Sequence, residues 1–226
     1  MKRNKKIKRT PAKKSVKKAS KIDVLLQKNN KGIHLDIGCG ANKNEGFVGM
    51  DVRELPGVDI VHNIEQFPYP LPDECCSMVV ASHVLEHINP GNTDTRLVGL
   101  FKMLIDKKVI SKKDVEKYVG EFETFGTFIR LMNEIWRILK PGGRFAFVVP
   151  YAGSIGFFQD PTHLNPINSS TLAYFDPLDT SQLWYIYKPY PWKIFSNFWA
   201  NTGNLEVILE KRIIDKSYVP NENKKV

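Results

Sequence analysis

The chain has 226 residues, of which 42% are hydrophobic and 25% are charged, and these values fit one sizeable soluble globular domain. No apolar run approaches about 18 residues, which excludes a membrane-spanning helix and hence a membrane partner, and the N-terminus lacks the apolar stretch of a secretory signal. Three cysteines, Cys39, Cys75 and Cys76, form no C-x-x-C pair, which favours reduced thiols and a cytoplasmic location.

The net charge of +9 is concentrated at the N-terminus. Residues 1–21 hold eleven of the 33 basic residues and no acid, so the remaining chain carries 22 basic and 24 acidic residues. Such a segment cannot bury enough apolar surface to offset its ordering entropy, and we expect a disordered basic tail over 1–21. The tail could contact nucleic acid electrostatically, or it could be a solvated segment that aids solubility.

Short β-rich runs recur through the rest of the chain, which we interpret as one domain over 22–226. The first run, Ile33–Ile37, ends in a glycine turn, and each later run is bounded by turn residues or by helical patterns. The predicted strands are 33–37, 47–51, 58–62, 77–81, 144–149, 205–209 and 212–214.

Three further segments do not resemble strands. Apolar residues between 125 and 139 recur at helical spacing until Pro141-Gly142-Gly143 stops the pattern, which predicts a helix. Residues 95–122 are predicted to form an inserted pair of helices that is interrupted near Ser111 and has a lysine-rich face exposed to solvent. The aromatic segment 170–200 is interrupted by prolines and is interpreted as a cap on the substrate side, although aromatic residues more often form core.

Alternating strands and helices predict an α/β fold with a mostly parallel central sheet and helices on both faces. In such sheets ligands bind at the carboxyl ends of the strands, near the point where the strand order reverses.

The first strand leads into Gly38-Cys39-Gly40, where glycines let the backbone approach a ligand closely. A dinucleotide site would need a third glycine and an acid about 20 residues on. Here Asp51 follows Gly38 by only thirteen residues, so the first crossover has little or no helix. That argues against a nicotinamide cofactor, whose pyrophosphate needs a helix N-terminus.

Several segments in order resemble the class I S-adenosylmethionine (SAM)-dependent methyltransferases, specifically the type 11-like group. The resemblance covers roughly residues 32–165 and implies a Rossmann-like class I methyltransferase fold with SAM as cofactor. The segments that carry the resemblance are His-Leu-Asp-Ile-Gly-Cys-Gly at 34–40, Phe-Pro-Tyr-Pro-Leu-Pro-Asp at 67–73, Ala-Ser-His-Val-Leu-Glu-His-Ile at 81–88 and Glu-Ile-Trp-Arg-Ile-Leu-Lys-Pro-Gly-Gly-Arg at 134–144.

The resemblance also implies cofactor contacts by position. The amino-acid end of SAM would lie against the first glycine loop, Asp51 would accept bonds from the ribose hydroxyls, and Asn63 would accept from the adenine amino group. The implied cofactor-binding residues are Asp36, Gly38, Cys39, Gly40, Asp51, Asn63 and Ser82.

A second cluster of polar residues follows the fourth predicted strand. His83, Glu86 and His87 would share one face of a helix, and His163, in an Asp-Pro-Thr-His loop after the fifth strand, could join them. Imidazole and carboxylate ligands suit Zn, Mn, Fe or Co. The arrangement is similar to the ubiquinone-pathway O-methyltransferases and the small-RNA 3′-end 2′-O-methyltransferases, two metal-using branches of the family.

Two other interpretations of this segment stay open. Leu-Glu-His can be a structural helix start without any metal. Independently, His87 or His163 could act as a general base near neutral pH, with Ser82 close to the transferred methyl group.

We therefore expect a methyltransferase that moves a methyl group from SAM to an oxygen or nitrogen of a small molecule, a glycan or RNA. Amino-directed DNA methylation is disfavoured because no Asp/Asn-Pro-Pro-aromatic motif follows the fourth strand. The alternative is a non-catalytic SAM-fold protein, for nucleic-acid binding or assembly, anchored by its basic tail.

Overall fold

The computed structural model describes residues 21–29, 31–90, 95–114 and 126–213, with the side chains of 95–99 left undescribed. Most of the basic tail, at 1–20, and the second half of the predicted insertion, at 115–122, lie outside these ranges. Within them, no helix is both long and apolar enough to cross a membrane.

The described residues form six helices and seven strands. The helices are α1 (Lys21–Lys28), α2 (Thr95–Asp106), α3 (Thr127–Ile138), α4 (Ile155–Phe158), α5 (Ser169–Leu172) and α6 (Trp184–Tyr187). The strands are β1 (Ile33–Ile37), β2 (Val48–Asp51), β3 (Ile60–Val61), β4 (Cys76–Ser82), β5 (Leu139–Pro150), β6 (Trp192–Trp199) and β7 (Asn204–Lys211).

One seven-stranded sheet organises the chain, in the order β3-β2-β1-β4-β5-β7-β6. Strands β1 to β5 pair in parallel, whereas β7 runs antiparallel to both β5 and β6. The order reverses between β1 and β4, which are neighbours although two strands separate them in the chain. The loops after these two strands therefore meet at the carboxyl edge of the sheet, where open α/β sheets bind ligands. The predicted α/β fold with a mostly parallel central sheet is confirmed.

The alternation of strand and helix begins only after β4. Residues 31–90 contain no helix apart from a single 3₁₀ turn at Leu85–His87, so β1, β2, β3 and β4 are joined by loops. This confirms the prediction that the crossover from β1 to β2 is short and contains little or no helix. It also means that no helix begins in the crossover from β1 to β2.

Helix α3 supplies a continuous apolar face to the core. Leu131, Met132, Ile135 and Ile138 are fully buried in it, at the spacing of one helical face. Burying each such side chain stabilises the fold by about 1.5–3 kcal/mol. The helix ends at Ile138, one residue before the last apolar position of the predicted helical pattern, and β5 begins at the next residue.

The Pro141-Gly142-Gly143 segment lies inside β5 instead of in a separate turn. Cys76 of β4 pairs with Leu139, but Met78, two residues on, pairs with Arg144. The β5 chain therefore has three more residues than β4 over this interval and bulges out of the ladder. Regular pairing starts at Arg144, where the sequence analysis placed the start of the strand.

The C-terminal part of the sheet differs from the prediction. Strand β6 was missed, because its residues were interpreted as part of the aromatic cap. The predicted strand 205–209 is confirmed within β7, whereas Arg212 and Ile213 are not in a strand, and residue 214 lies outside the described ranges. Of the cap aromatics, Phe175, Trp184 and Trp192 are buried, and Phe195, Phe198 and Trp199 are exposed.

Candidate functional site

The glycine loop after β1 is held by backbone bonds to β2. The Gly38 N–H donates to Met50 O over 2.7 Å, and the Gly40 N–H donates to Asp51 Oδ2 over 2.9 Å. Both glycines have positive φ, at 65° and 56°, a conformation that side chains with a Cβ rarely adopt. The loop needs glycine at these two positions.

Asp36, at the end of β1, is 5% exposed. Its Oδ2 accepts the Asn44 N–H over 2.8 Å and the Asn44 side-chain amide over 2.9 Å. These bonds close the loop from 38 to 44 on itself. The immediate partner of Asp36 is therefore the loop, and Asn44 is a residue of this loop that sequence reasoning missed.

Asp51 ends β2 and lies against the same loop. Its Oδ2 accepts the Gly40 N–H, and its Oδ1 accepts the N–H and the Nε of Arg53 at 2.9 and 3.1 Å. Burial opposes ionisation of this carboxyl, but the bonds from Arg53 and Gly40 outweigh burial and lower the pKa of Asp51 below its ordinary value. Each carboxylate oxygen can accept two bonds, so Oδ2 keeps capacity for a ligand hydroxyl.

A cavity of about 450 Å³ opens at this point of the carboxyl edge, a size in the range of cofactor sites. Of the predicted site residues it gathers Gly38, Asp51, Asn63, His83 and His87. Asp36, Cys39, Gly40, Ser82, Glu86 and His163 do not line it. The lining residues that sequence reasoning missed are Val52, Arg53, Ile64, Glu65, Val84 and Ile88.

Asn63 and Cys39 have internal partners. The Asn63 amide oxygen accepts the Glu65 N–H over 2.9 Å, which leaves it one lone pair for a ligand. The Cys39 thiol is near the Gly40 carbonyl, at 3.5 Å. Burial, followed by the charges of Asp36 and Asp51, raises the pKa of Cys39, which keeps it a neutral thiol. Ser82 is exposed at the end of β4.

The segment after β4 is not the helix that the sequence predicted. His83 has a φ of 53°, its N–H continues the ladder to Val148 O over 2.9 Å, and only Leu85–His87 form a 3₁₀ turn. The expected common helical face of His83, Glu86 and His87 is therefore wrong. His83 still reaches Glu86, because its Nδ1 lies 3.2 Å from Glu86 Oε1.

The loop after α4 brings His163 to this turn. The N–H groups of Leu164 and Asn165 both donate to Glu86 O, at 2.8 and 3.0 Å. The Asn165 side chain adds a bond to Leu85 O at 3.0 Å. His163 consequently packs beside His87, with 4.8 Å between the ring centroids. No pattern in the sequence singles out Asn165 for this role.

Hydrogen-bond partners indicate which imidazole nitrogens carry protons. His163 Nδ1 lies 2.8 Å from Phe157 O, a pure acceptor, so Nδ1 carries the hydrogen. His87 Nδ1 lies 3.3 Å from Thr162 O and 3.0 Å from Thr162 Oγ1. Because Thr162 Oγ1 donates its own proton to Asp160 Oδ1 over 2.7 Å, it accepts from His87. Among the described residues, neither Nε2 is used by a hydrogen bond, although the Nε2 of His163 lies 3.7 Å from Asp160 Oδ2.

Glu86 completes a compact group with these two rings. One donor atom from each of Glu86, His87 and His163 lies within 4.8 Å of the others. Glu86 is 1% exposed, and its Oε2 has no hydrogen-bond partner among the described residues. An unpartnered buried carboxylate oxygen is costly and calls for a compensating group. His87 belongs both to this group and to the lining of the cavity.

Comparison with protein-family models and with curated proteins finds no match. Among solved structures, the chain is similar to a SAM-dependent methyltransferase from Archaeoglobus fulgidus, at 16% identity and a TM-score of 0.45, over 85% of this chain and 95% of that one. It is similar to a variant of the 16S rRNA (adenine(1408)-N(1))-methyltransferase from Catenulisporales acidiphilia, at 13% identity and a TM-score of 0.43, over 85% and 90% of the two chains.

The cyclase SpnF is a further similar structure, at 14% identity and a TM-score of 0.45, over 85% of this chain and 81% of that one. Identities and TM-scores this low leave the assignment of a function to the geometry of the site.

Proposed function

We propose that the protein is a SAM-dependent methyltransferase that acts on an oxygen or nitrogen carrying a proton. The observation that carries the proposal is the cavity at the switch point of the sheet, which places the Gly38 turn, the Asp51 carboxylate and the Asn63 amide around one space. SAM, when bound, supplies a methyl group on a positively charged sulfonium.

Each part of this cavity suits a part of SAM. The Asp51 carboxylate, kept ionised by its N–H donors, accepts hydroxyl groups such as those of a ribose. The glycine turn lets a ligand lie against the backbone without meeting a Cβ. No helix lies between β1 and β2, so this crossover provides no helix N-terminus for a pyrophosphate. The same feature weakens the case for a nicotinamide dinucleotide.

The acceptor side is provided by the histidines. His83 and His87 line the cavity beside Gly38, so the acceptor would approach past them. In methyl transfer the bond from sulfur to carbon breaks, the bond from carbon to the acceptor atom forms, and the acceptor loses a proton. The Nε2 lone pair of His87 or of His163 can take that proton. The main contribution of the chain is to hold acceptor and methyl donor in line.

Calorimetric titration of the full chain with SAM tests the proposal. We expect micromolar-range binding, weakened at least tenfold in Asp51→Ala. Glu54→Gln is a matched control, because Glu54 is an exposed acid three residues along the same loop that does not line the cavity. It should bind SAM within twofold of the parent. A folded parent that does not bind SAM would overturn the proposal and favour a non-catalytic protein that contacts nucleic acid through residues 1–21.

The methyl acceptor is to be identified by screening candidate substrates with SAM that carries a tritiated methyl group. Small hydroxylated molecules, glycans and RNA are the three classes to compare, and RNA is also the class that the basic tail would attract. Localisation to the cytoplasm remains a prediction that imaging of the tagged chain would test.

A further inference from the structure

Glu86 stands out among the buried charged groups of the protein. Five of the described acidic residues are buried. Asp36, Asp51, Glu134 and Asp176 each accept a hydrogen bond on a carboxylate oxygen, whereas Glu86 Oε2 has no donor. Only its Oε1 has a neighbour, His83 Nδ1 at 3.2 Å. Folding has thus placed one carboxylate oxygen away from water without a proton donor among the described residues, which indicates a missing positive partner.

The surroundings of Glu86 supply further ligand atoms. The Nδ1–H groups of His87 and His163 are both bound to the loop 157–162, at Thr162 and at Phe157 O. Backbone carbonyls that hold one ring nitrogen in this way orient the other nitrogen as a metal ligand. The two Nε2 lone pairs and one Glu86 oxygen therefore form a set of two nitrogens and one oxygen.

The spacing of this set is close to that of a coordination sphere. Bonds of about 2.0–2.2 Å from a cation to nitrogen or oxygen place two ligands roughly 3–4.4 Å apart, depending on the angle at the cation. One ligand atom of each residue lies within 4.8 Å of the others, so side-chain movements of about 0.4 to 1.8 Å, depending on the angle at the cation, would close the set. His87 is exposed on a turn, where such movements cost little, whereas the His163 side chain is 9% exposed and is the more fixed of the two.

We propose that Glu86, His87 and His163 bind one divalent cation of the Mn, Fe, Co or Zn class, and that His83 is a positioning residue that orients Glu86. This replaces the four-ligand set predicted from the sequence. Three protein ligands leave coordination positions open, and His87 lines the cavity, so an acceptor oxygen can reach the cation. Because the cation would occupy the Nε2 lone pairs of His87 and His163, it would take the place of these rings in activating the acceptor: it would polarise a coordinated hydroxyl so that its proton is lost to water. Cation binding does not depend on the proposed function. Only the contact between the cation and a methyl acceptor does.

The test is a Mn²⁺ titration of the full chain, followed by the loss of the free-ion electron paramagnetic resonance signal. Mn²⁺ is chosen because it prefers nitrogen and oxygen ligands to thiols, which leaves the cysteines out of the measurement. We expect one bound Mn²⁺ per chain, retained in a tenfold excess of Mg²⁺.

Three variants separate the proposal from unspecific binding. Glu86→Gln keeps the shape of the side chain, and His87→Gln changes an exposed residue, so at least one of the two will fold. Each should weaken Mn²⁺ binding at least tenfold. His34→Gln is the matched control, because His34 is an exposed histidine on β1 far from the set along the chain, and it should bind Mn²⁺ like the parent. A rise in melting temperature with Mn²⁺ in the parent, absent in folded Glu86→Gln, is a second readout.

Two results would overturn the proposal. One is a folded parent that leaves Mn²⁺ free at millimolar concentration and shows no shift in melting temperature with Zn²⁺. The other is binding by the folded variants Glu86→Gln and His87→Gln that equals the parent. SAM binding is measured on the same samples. A parent that binds Mn²⁺ but not SAM would refute the proposed methyltransferase and leave the cation site intact.

Discussion

Val84 lies directly over Gly38, so that a Cβ at Gly38 would come within 2.4 Å of Val84 Cγ2. Val84 follows β4 and Gly38 follows β1, so this contact joins the two loops that flank the switch point of the sheet. Both residues line the cavity. The close approach explains why the loop after β1 needs glycine here for space as well as for its φ.

Gly38→Ala should therefore destabilise the protein more than Gly46→Ala. Gly46 also has a positive φ, but nothing lies within 4 Å of a Cβ built there. The conformational cost of about 1–2 kcal/mol applies to both variants, and Gly38→Ala adds an overpacking cost of about 1–3 kcal/mol. Urea unfolding measures both, and equal losses would contradict the contact. The double variant Gly38→Ala/Val84→Ala should recover part of the loss, because the side chain that clashes is shortened.

Arg53→Ala is expected to strengthen SAM binding slightly. The Arg53 Nε lies 3.1 Å from Asp51 Oδ1, and the arginine side chain is 65% exposed, so this is a surface ion pair worth about 0.2–1 kcal/mol. Oδ2 can accept one ligand hydroxyl, so a second hydroxyl would have to bind Oδ1 and displace the Arg53 side chain. Removing the competitor should tighten binding roughly 1.4- to 5-fold, as measured by calorimetry. Binding weakened tenfold would instead mean that the guanidinium contacts the cofactor.

Asp59 makes the stability of the cofactor loop depend on pH. Burial opposes ionisation, but the Lys43 ammonium at 2.6 Å and the Gly49 N–H at 2.9 Å outweigh it, and the pKa of Asp59 lies below its ordinary value of 3.8. A lowered folded-state pKa means that the stabilisation is fully present above the unfolded value and is lost as pH falls through the folded value.

The free energy of unfolding should therefore differ most between parent and Asp59→Asn at about pH 6, and the difference should shrink below about pH 4. Urea unfolding at a series of pH values measures it. The asparagine keeps an acceptor for the Gly49 N–H, so the variant reports the loss of charge. A difference that does not change with pH would show that the ionised carboxylate adds nothing.

Asn165→Ala should loosen the loop that carries His163. Its side-chain amide donates to Leu85 O over 3.0 Å, and losing such a bond costs about 0.5–1.5 kcal/mol. Because the bond positions a ligand without touching the cation, Mn²⁺ affinity should fall about tenfold while SAM affinity stays within twofold. Equal Mn²⁺ affinity in parent and variant would show that the two backbone bonds to Glu86 O hold the loop unaided.

The parallel half of the sheet could be predicted from the sequence because its strands are short apolar runs that end in recognisable turns. Ile33–Ile37 matches β1 residue for residue, since Gly32 and Gly38 bound it on both sides. Strand β6 could not be found in the same way. Its residues from Phe195 to Trp199 are exposed, so apolar and polar side chains do not alternate as they do in a half-buried strand.

The site was predictable in composition but not in geometry. The histidines and Glu86 were identified by residue type, yet the positive φ of His83 is a conformation that no local pattern predicts for histidine. The lack of a hydrogen-bond donor to Glu86 Oε2 depends on the tertiary structure, because the loop 160–165 is distant in sequence and its donors do not reach this oxygen. Arg53 and Val84 have ordinary side chains that become important only through their neighbours, Asp51 and Gly38.

His87 takes part in both the cofactor cavity and the group around Glu86, and this shared residue has a thermodynamic consequence. If SAM occupies the cavity and a cation occupies the group around Glu86, a shift of the His87 ring that favours one ligand also changes the affinity for the other. The two affinities are then linked reciprocally: whatever factor SAM applies to the affinity for the cation, the cation applies to the affinity for SAM. Through this single imidazole, the affinity for each ligand in an equilibrium titration would depend on the concentration of the other.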